Sequence, residues 1–231
     1  MRSSLSSVSE ILPNRIQHDV EARKARRRLY PVSMLYSLFA VTVMALALRS
    51  RPAVALSFFA FGAFAWTALK YAVHRYILHG RFPDGPNLYR HLLHRYFDHL
   101  HWEHHKRPWD GDHINGTIRD TLPFVGPLAL VGLLLPVDTL LAFLAGLLQA
   151  YIVEEWVHHS VHFCQFRGRY FQYIKRHHLY HHSPKGCEVA YGLTNGLWDV
   201  VYDTRIPAVV RRALYAPLSS SHREAGSALE R

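Results

Sequence analysis

Ten histidines fall in four short clusters: His74-Arg-Tyr-Ile-Leu-His79, His101-Trp-Glu-His104-His105, His158-His-Ser-Val-His162 and His178-Leu-Tyr-His181-His182. Imidazole is the commonest protein ligand for first-row transition metals. Ten are too many for one ion, which takes roughly four to six ligands, and they fit two metals sharing a site. Residues three and four apart on a helix share a face. His101 therefore projects with His104 and His105, and His178 with His181 and His182. Adjacent members of each triplet differ in direction by about 100°, so each triplet can serve two neighbouring metals. His158 and His162 share one face. His74 and His79 diverge by about 140° on a straight helix. They are expected to serve different metals, unless the helix ends between them at the Gly80-Arg81-Phe82-Pro83 loop. Such a set points to metal-centred redox or hydrolytic chemistry, with no catalytic residue apart from the ligands.

Metal-bound imidazoles usually donate their second N–H to a carboxylate or carbonyl. His159, His177, Glu103, Asp110 and Asp199 are the candidates to orient the ligands in this way, with Asp112, Glu154 and Glu155 as further acidic neighbours. Taken singly, each reads first as an ordinary residue, the carboxylates as solvated surface groups. The two cysteines, Cys164 and Cys187, form no C-x-x-C pair. That excludes a disulfide framework and a thiolate zinc module. Cys164 follows His162 closely but reads first as a small buried thiol.

The elements that must position these residues are apolar. Residues 29–48 form an uncharged run long enough to cross a bilayer core of roughly 30 Å, and Arg49-Ser-Arg-Pro52 ends it. A second span covers 53–73, with Lys70 its only charge and Gly62, Ala63 and Ala65 allowing close helix approach. After a polar, histidine-rich stretch, residues 122–135 and 137–153 form an apolar pair broken at Pro136 and Asp138. The pair reads as a crossing hairpin or a shallower re-entrant one. The expected fold is therefore an all-α integral membrane protein with about four spans in two hairpins and a helical cap holding a two-metal site. A basic segment, 1–28, precedes the membrane domain, 29–218, and a polar tail, 219–231, reads as disordered.

The net charge is +10, and 25 of the 27 Lys and Arg lie outside the two tight turns. With four crossings, this asymmetry places the N-terminus, the cap and all four clusters on the cytoplasmic side, of a bacterial inner membrane or of the endoplasmic reticulum. Because the basic residues flank apolar segments, they favour a membrane surface and exclude nucleic acid. No signal peptide is expected before the first span.

The cluster order H-x4-H, H-x2-H-H, H-x3-H, H-x2-H-H resembles the fatty acid hydroxylase superfamily of membrane di-metal oxygenases. Finer matches resemble its fatty acid 2-hydroxylase, or ceramide hydroxylase, branch. They are His104-His-Lys-Arg-Pro-Trp-Asp-Gly111, His162-Phe163, His177-His-Leu-Tyr-His-His182 and Gly196-Leu-Trp-Asp199. The resemblance runs from about residue 55 to 205. It implies two iron ions, dioxygen as co-substrate, a lipid acyl substrate, and hydroxylation of the carbon next to the carbonyl. An all-imidazole site also takes zinc, which lies above iron in affinity order, so purified protein can carry inactive zinc. Family members often carry an N-terminal cytochrome b5 domain. Here about 28 residues precede the first span, too few for a haem domain, so a separate cytochrome b5-like or ferredoxin-like donor with its reductase is expected. Three other readings compete: a sterol or carotenoid hydroxylase or desaturase of the same superfamily, a histidine-rich membrane metal transporter, and a membrane metallohydrolase.

Overall fold

The computed structural model describes residues 15–95 and 99–215, and every regular element among them is helical. The long elements are α1 (Arg15–Ser50), α2 (Pro52–Ala72), α5 (Ile118–Gly132) and α6 (Leu140–Phe163). Shorter ones build the cap: α3 (Leu88–Leu93), α4 (His99–Lys106), α7 (Arg169–His181), α8 (Leu197–Val201) and α9 (Ala208–Tyr215). Pro52 starts α2 directly after non-helical Arg51, as a first-turn proline should.

Among the described residues, three helices are long and apolar enough to cross a membrane: Ile16–Ser50, Pro52–Leu78 and Leu140–Phe163. The expected fourth span corresponds to α5, which has 15 residues. That is about 22 Å of helix, short of a bilayer core of roughly 30 Å. It carries Pro123 and Pro127, and its start is set by Thr117 N–H donating to Asp120 Oδ2 at 2.6 Å, half of a capping box. Together with the turn that follows, α5 returns the chain to the far end of the bundle. There Asp138 accepts from Arg51 Nε at 2.5 Å and Nη2 at 2.7 Å, a bidentate pair. Phe124, Leu130, Leu133 and Leu134 face outward along this return, as a lipid-facing segment requires.

The return has one consequence for the site: α6 runs parallel to α2. Trp66 Nε1–H donates to Glu154 Oε2 at 2.8 Å and Lys70 pairs with Glu154, while nearer the helix starts Gly62 faces Phe143 and Gly146 faces Phe59. Parallel packing brings the histidine-bearing C-terminal ends of both helices to the same end of the bundle. α1 packs antiparallel on α6, with Trp156 Nε1–H donating to Ser33 Oγ at 2.9 Å and Tyr36 against Tyr151 at 6.3 Å. Val32, Tyr36, Leu148, Tyr151 and Ile152 form the buried core between them.

The basic segment read as preceding the first span is helical from Arg15 onward and continuous with it. It extends past the span onto the cap, where Glu21 Oε2 accepts from Gly111 N at 2.9 Å and the Ala22 carbonyl meets His159 Nε2 at 3.2 Å. The tail, 219–231, lies outside the described residues.

The glycine contacts are testable. A Cβ on Gly62 would collide with the Phe143 carbonyl, and one on Gly146 with the Phe59 carbonyl. Gly62→Val and Gly146→Val are each expected to cost about 1–3 kcal/mol or more, read as a lowered unfolding midpoint in detergent. Gly126→Ala in α5, where the added carbon meets nothing nearer than 4.0 Å, is expected to be neutral or stabilising by up to ~1 kcal/mol.

Candidate metal centre

Four elements deliver the ten histidines. The first is a π-helical turn, Val73–Leu78, that continues α2. His79 N–H donates to the His74 carbonyl at 3.0 Å, the i→i+5 bond of a π-turn. That winding brings residues five apart onto one face, and the two rings lie 5.0 Å apart. The expectation that His74 and His79 serve different metals is therefore overturned: a straight α-helix would splay them, and the π-turn does not.

The ten rings form two groups of five. His74, His79, His101, His105 and His181 make the first; His104, His158, His162, His178 and His182 make the second. Within each group one ring nitrogen per residue lies within 4.8 Å of all the others. The triplets split as helix geometry predicts. On α4, His101 and His105 join the first group and His104 the second; at the end of α7, His181 joins the first and His178 and His182 the second. The groups abut, with the His105 and His182 rings stacked at 4.3 Å.

The donor set fits a cation at each group. In the first, His74 Nδ1–H donates to the Tyr191 carbonyl at 2.6 Å and His181 Nδ1–H to the Val189 carbonyl at 2.7 Å. These bonds hold the proton on Nδ1 and leave Nε2 as a bare lone pair. Yet His74 Nε2 lies 3.1 Å from His101 Nε2, and His181 Nε2 lies 3.0 Å from His79 Nε2. In the second group, Nε2 separations of 3.0–3.2 Å link His104 to His158, His158 to His162, His162 to His178 and His178 to His182. Converging lone pairs repel unless something positive sits among them. Nitrogens ~2.1 Å from one ion, at right angles to each other, would stand ~3.0 Å apart.

Burial keeps these rings in the neutral, ligating form. Desolvation, reinforced by neighbouring histidines, holds His101, His104, His178, His181 and His182 well below the ordinary imidazole range. Burial, with His105 adding to it, takes His79 down to about 3, and burial takes His105 to about 4.

The residues expected to orient the ligands make their hydrogen bonds elsewhere. Glu103 is bonded to Lys106 and Arg107 at 3.0 and 3.1 Å. Asp110 pairs with Arg107 at 3.0 Å and His113 at 3.1 Å, and His159 faces the Ala22 carbonyl. Asp112 lies 3.8 Å from Lys24, and Glu155 accepts from Asn115 Nδ2 at 2.9 Å. His177 and Asp199 meet each other at 3.3 Å; Asp199 bonds the backbone that carries the orienting carbonyls rather than a ligand. Cys164 belongs to neither group. What side-chain spacing missed are the carbonyls of Val189 and Tyr191, since every residue has a carbonyl and none marks the sequence. Trp102 lies against His79 at 5.4 Å and Trp109 against His162 at 5.7 Å, closing the groups from the side.

A fatty acid hydroxylase family model matches residues 59–204, more than half of the chain and all ten histidines. The dihydroceramide fatty acyl 2-hydroxylase FAH2 of Arabidopsis thaliana is 34% identical over 149 residues, 63% of this chain and 59% of that protein. The fatty acid 2-hydroxylase of Homo sapiens is 29% identical over 157 residues, 64% of this chain and 39% of that protein. The chain thus spans well under two thirds of the length of these curated relatives. The solved structure of full-length scs7p, in which only the hydroxylase domain is visible, superposes with a TM-score of 0.67 at 25% identity, over 83% of this chain and 69% of that one.

Two measurements check the centre. Elemental analysis of purified protein is expected to find two transition-metal ions per chain. Either His104→Ala or His101→Ala should remove close to one, while Glu103→Ala should remove none. Acidity gives the second. In metal-free protein His79 and His105 titrate below the ordinary imidazole value of 6.5. The unfolded chain therefore binds more protons than the folded one as pH falls from about 6.5 toward 4, and stability falls with it. A lower unfolding midpoint at pH 5 than at pH 7 is expected; equal midpoints would contradict the buried, neutral assignment.

Proposed function

The chain belongs to the fatty acid hydroxylase family, and on that basis we propose that it is a membrane-bound oxygenase that hydroxylates a lipid acyl chain at the carbon next to its carbonyl. The observation that carries the reading is the pair of abutting five-imidazole groups at the shared end of parallel membrane helices. The relatives' names, fatty acid 2-hydroxylase and dihydroceramide fatty acyl 2-hydroxylase, support the acyl substrate and the position of attack, and do not favour a sterol or carotenoid.

Two iron ions held by the two groups would supply dioxygen activation. The overall reaction inserts one oxygen atom into a C–H bond and releases the other as water, consuming two electrons and two protons. The protein's part is to hold ten neutral imidazoles in place, to keep bulk water out, and to admit one carbon. Exposed Phe58, Phe61, Phe64 and Leu69 on α2 give the acyl tail an apolar surface. Electrons are supplied by a cytochrome b5-like or ferredoxin-like donor with its reductase. The charge distribution supports a site on the cytoplasmic side.

The ligand geometry speaks against the other classes. A transporter gathers its ligands near the bilayer midplane, whereas these gather where α2 and α6 end. A hydrolytic pair of metals ordinarily recruits carboxylates, and the two groups are all imidazole.

Lipid mass spectrometry on cells expressing the wild type beside His181→Ala tests the proposal. 2-Hydroxy acyl chains should accumulate only with the wild type, and 18O from dioxygen should appear in the new hydroxyl. Identical lipid profiles, or oxygen drawn from water, would overturn it.

A further inference from the structure

We infer that Asp199 is a positioning residue for the first histidine group alone, and that the two groups consequently bind metal with unequal affinity, the first more tightly. The inference rests on the ten histidines being metal ligands and goes beyond that reading by distinguishing the two sites.

The Asp199 carboxylate is buried, with 1% of the residue exposed. Oδ1 accepts from Tyr191 N at 2.9 Å and Thr204 Oγ1 at 2.8 Å; Oδ2 accepts from Gly192 N at 2.9 Å and faces His177 Nε2 at 3.3 Å. Thr204 is held in turn by Tyr71 Oη at 2.8 Å, and its carbonyl accepts from Ala190 N at 2.8 Å. Asp199 and Thr204 together therefore fasten residues 190–192. The fastening is tight enough to keep Ala190 at φ 60°, where a residue with a Cβ persists only if its surroundings over-determine it. At Gly192 a Cβ would strike the Asn195 carbonyl and Asp199 Oδ2.

This fastened turn presents the Val189 carbonyl to His181 Nδ1 and the Tyr191 carbonyl to His74 Nδ1. Both histidines belong to the first group. In the second group, Nδ1 of His104, His162, His178 and His182 is buried with no hydrogen-bond partner. Two of the five rings in the first group are thus pre-oriented from behind, and these four of the second are not. Partners of this kind are worth about 10–100-fold in metal affinity, which sets the expected gap between the two sites.

Asp199→Asn preserves shape but replaces one acceptor oxygen with a donor, so whichever way the amide turns, a backbone N–H or the Thr204 hydroxyl loses its acceptor. The test is a titration of the metal-stripped full chain in detergent with zinc alone, at buffered free zinc. The wild type should bind in two steps separated by about 10–100-fold. His178→Ala should leave only the tight step. Asp199→Asn should weaken the tight step alone, by a factor in that same range, and should do so again in the His178→Ala background. Thr204→Val, a milder change that removes one partner of the carboxylate, should weaken the same step by less. A tight step lost in His178→Ala would overturn the inference. So would Asp199→Asn or Thr204→Val moving both steps together, as a general loss of structure would, or moving neither. A wild type that takes up fewer than two zinc ions would overturn the two-metal reading beneath it, a result distinguishable without any lipid assay.

Discussion

The site depends first on how closely two helices can approach. Gly62 and Gly146 each place a bare Cα against a carbonyl of the facing helix, so α2 and α6 touch backbone to backbone. In a bilayer, where lipid tails compete on equal terms with apolar side chains, such contact is what holds helices together. Because the two helices run parallel, their contact carries upward as a fixed spacing. One turn below the site, Lys70 on α2 meets Glu154 on α6. Four residues further along each helix stand His74 and His158, one from each metal group. Separating the helices by the thickness of a side chain would part the two halves of the centre.

The second requirement is electrostatic. Ten imidazoles with nitrogens about 3 Å from their neighbours are stable only if uncharged, and burial keeps them so, at the cost of leaving lone pairs face to face. At two of the ten, backbone carbonyls fix the proton on the outward nitrogen, which turns a bare lone pair inward. A cation placed among the lone pairs would offset their repulsion. The same burial keeps the centre dry, a condition the proposed chemistry also needs.

Much of this was legible in the residues, for definite reasons. Apolar runs give the long helices, because length and lack of charge suffice to mark them. The division of His101, His104 and His105 between two groups, and likewise of His178, His181 and His182, follows from helical angle alone. The failures have physical causes as well. His74 and His79 diverge on α-helical winding, and nothing in Val-His-Arg-Tyr-Ile-Leu announces a π-turn. The uncharged run 122–135 allows either a crossing or a re-entrant hairpin on length and charge alone, and its helix, stopping at Gly132, is too short to cross. The carboxylates proposed to orient ligands were chosen by sequence proximity. The atoms that fill this role in the first group are the carbonyls of Val189 and Tyr191, seven and nine residues beyond the last cluster.

The unbroken helix α1 acts as a ruler. It runs from Ser50, beside the Arg51–Asp138 pair that marks the far surface, to Ala22, whose carbonyl meets His159 at the level of the metal groups. Those 28 residues (50 minus 22) measure about 42 Å. A hydrocarbon core of roughly 30 Å leaves the centre at most ~12 Å above it, and any tilt shortens that height. A carbon next to a lipid's carbonyl already lies near this boundary and has only a short climb. A mid-chain carbon would have to drag half its chain out of oil. On the proposed function, the choice of which carbon to oxidise is set partly by altitude, before any pocket selects it.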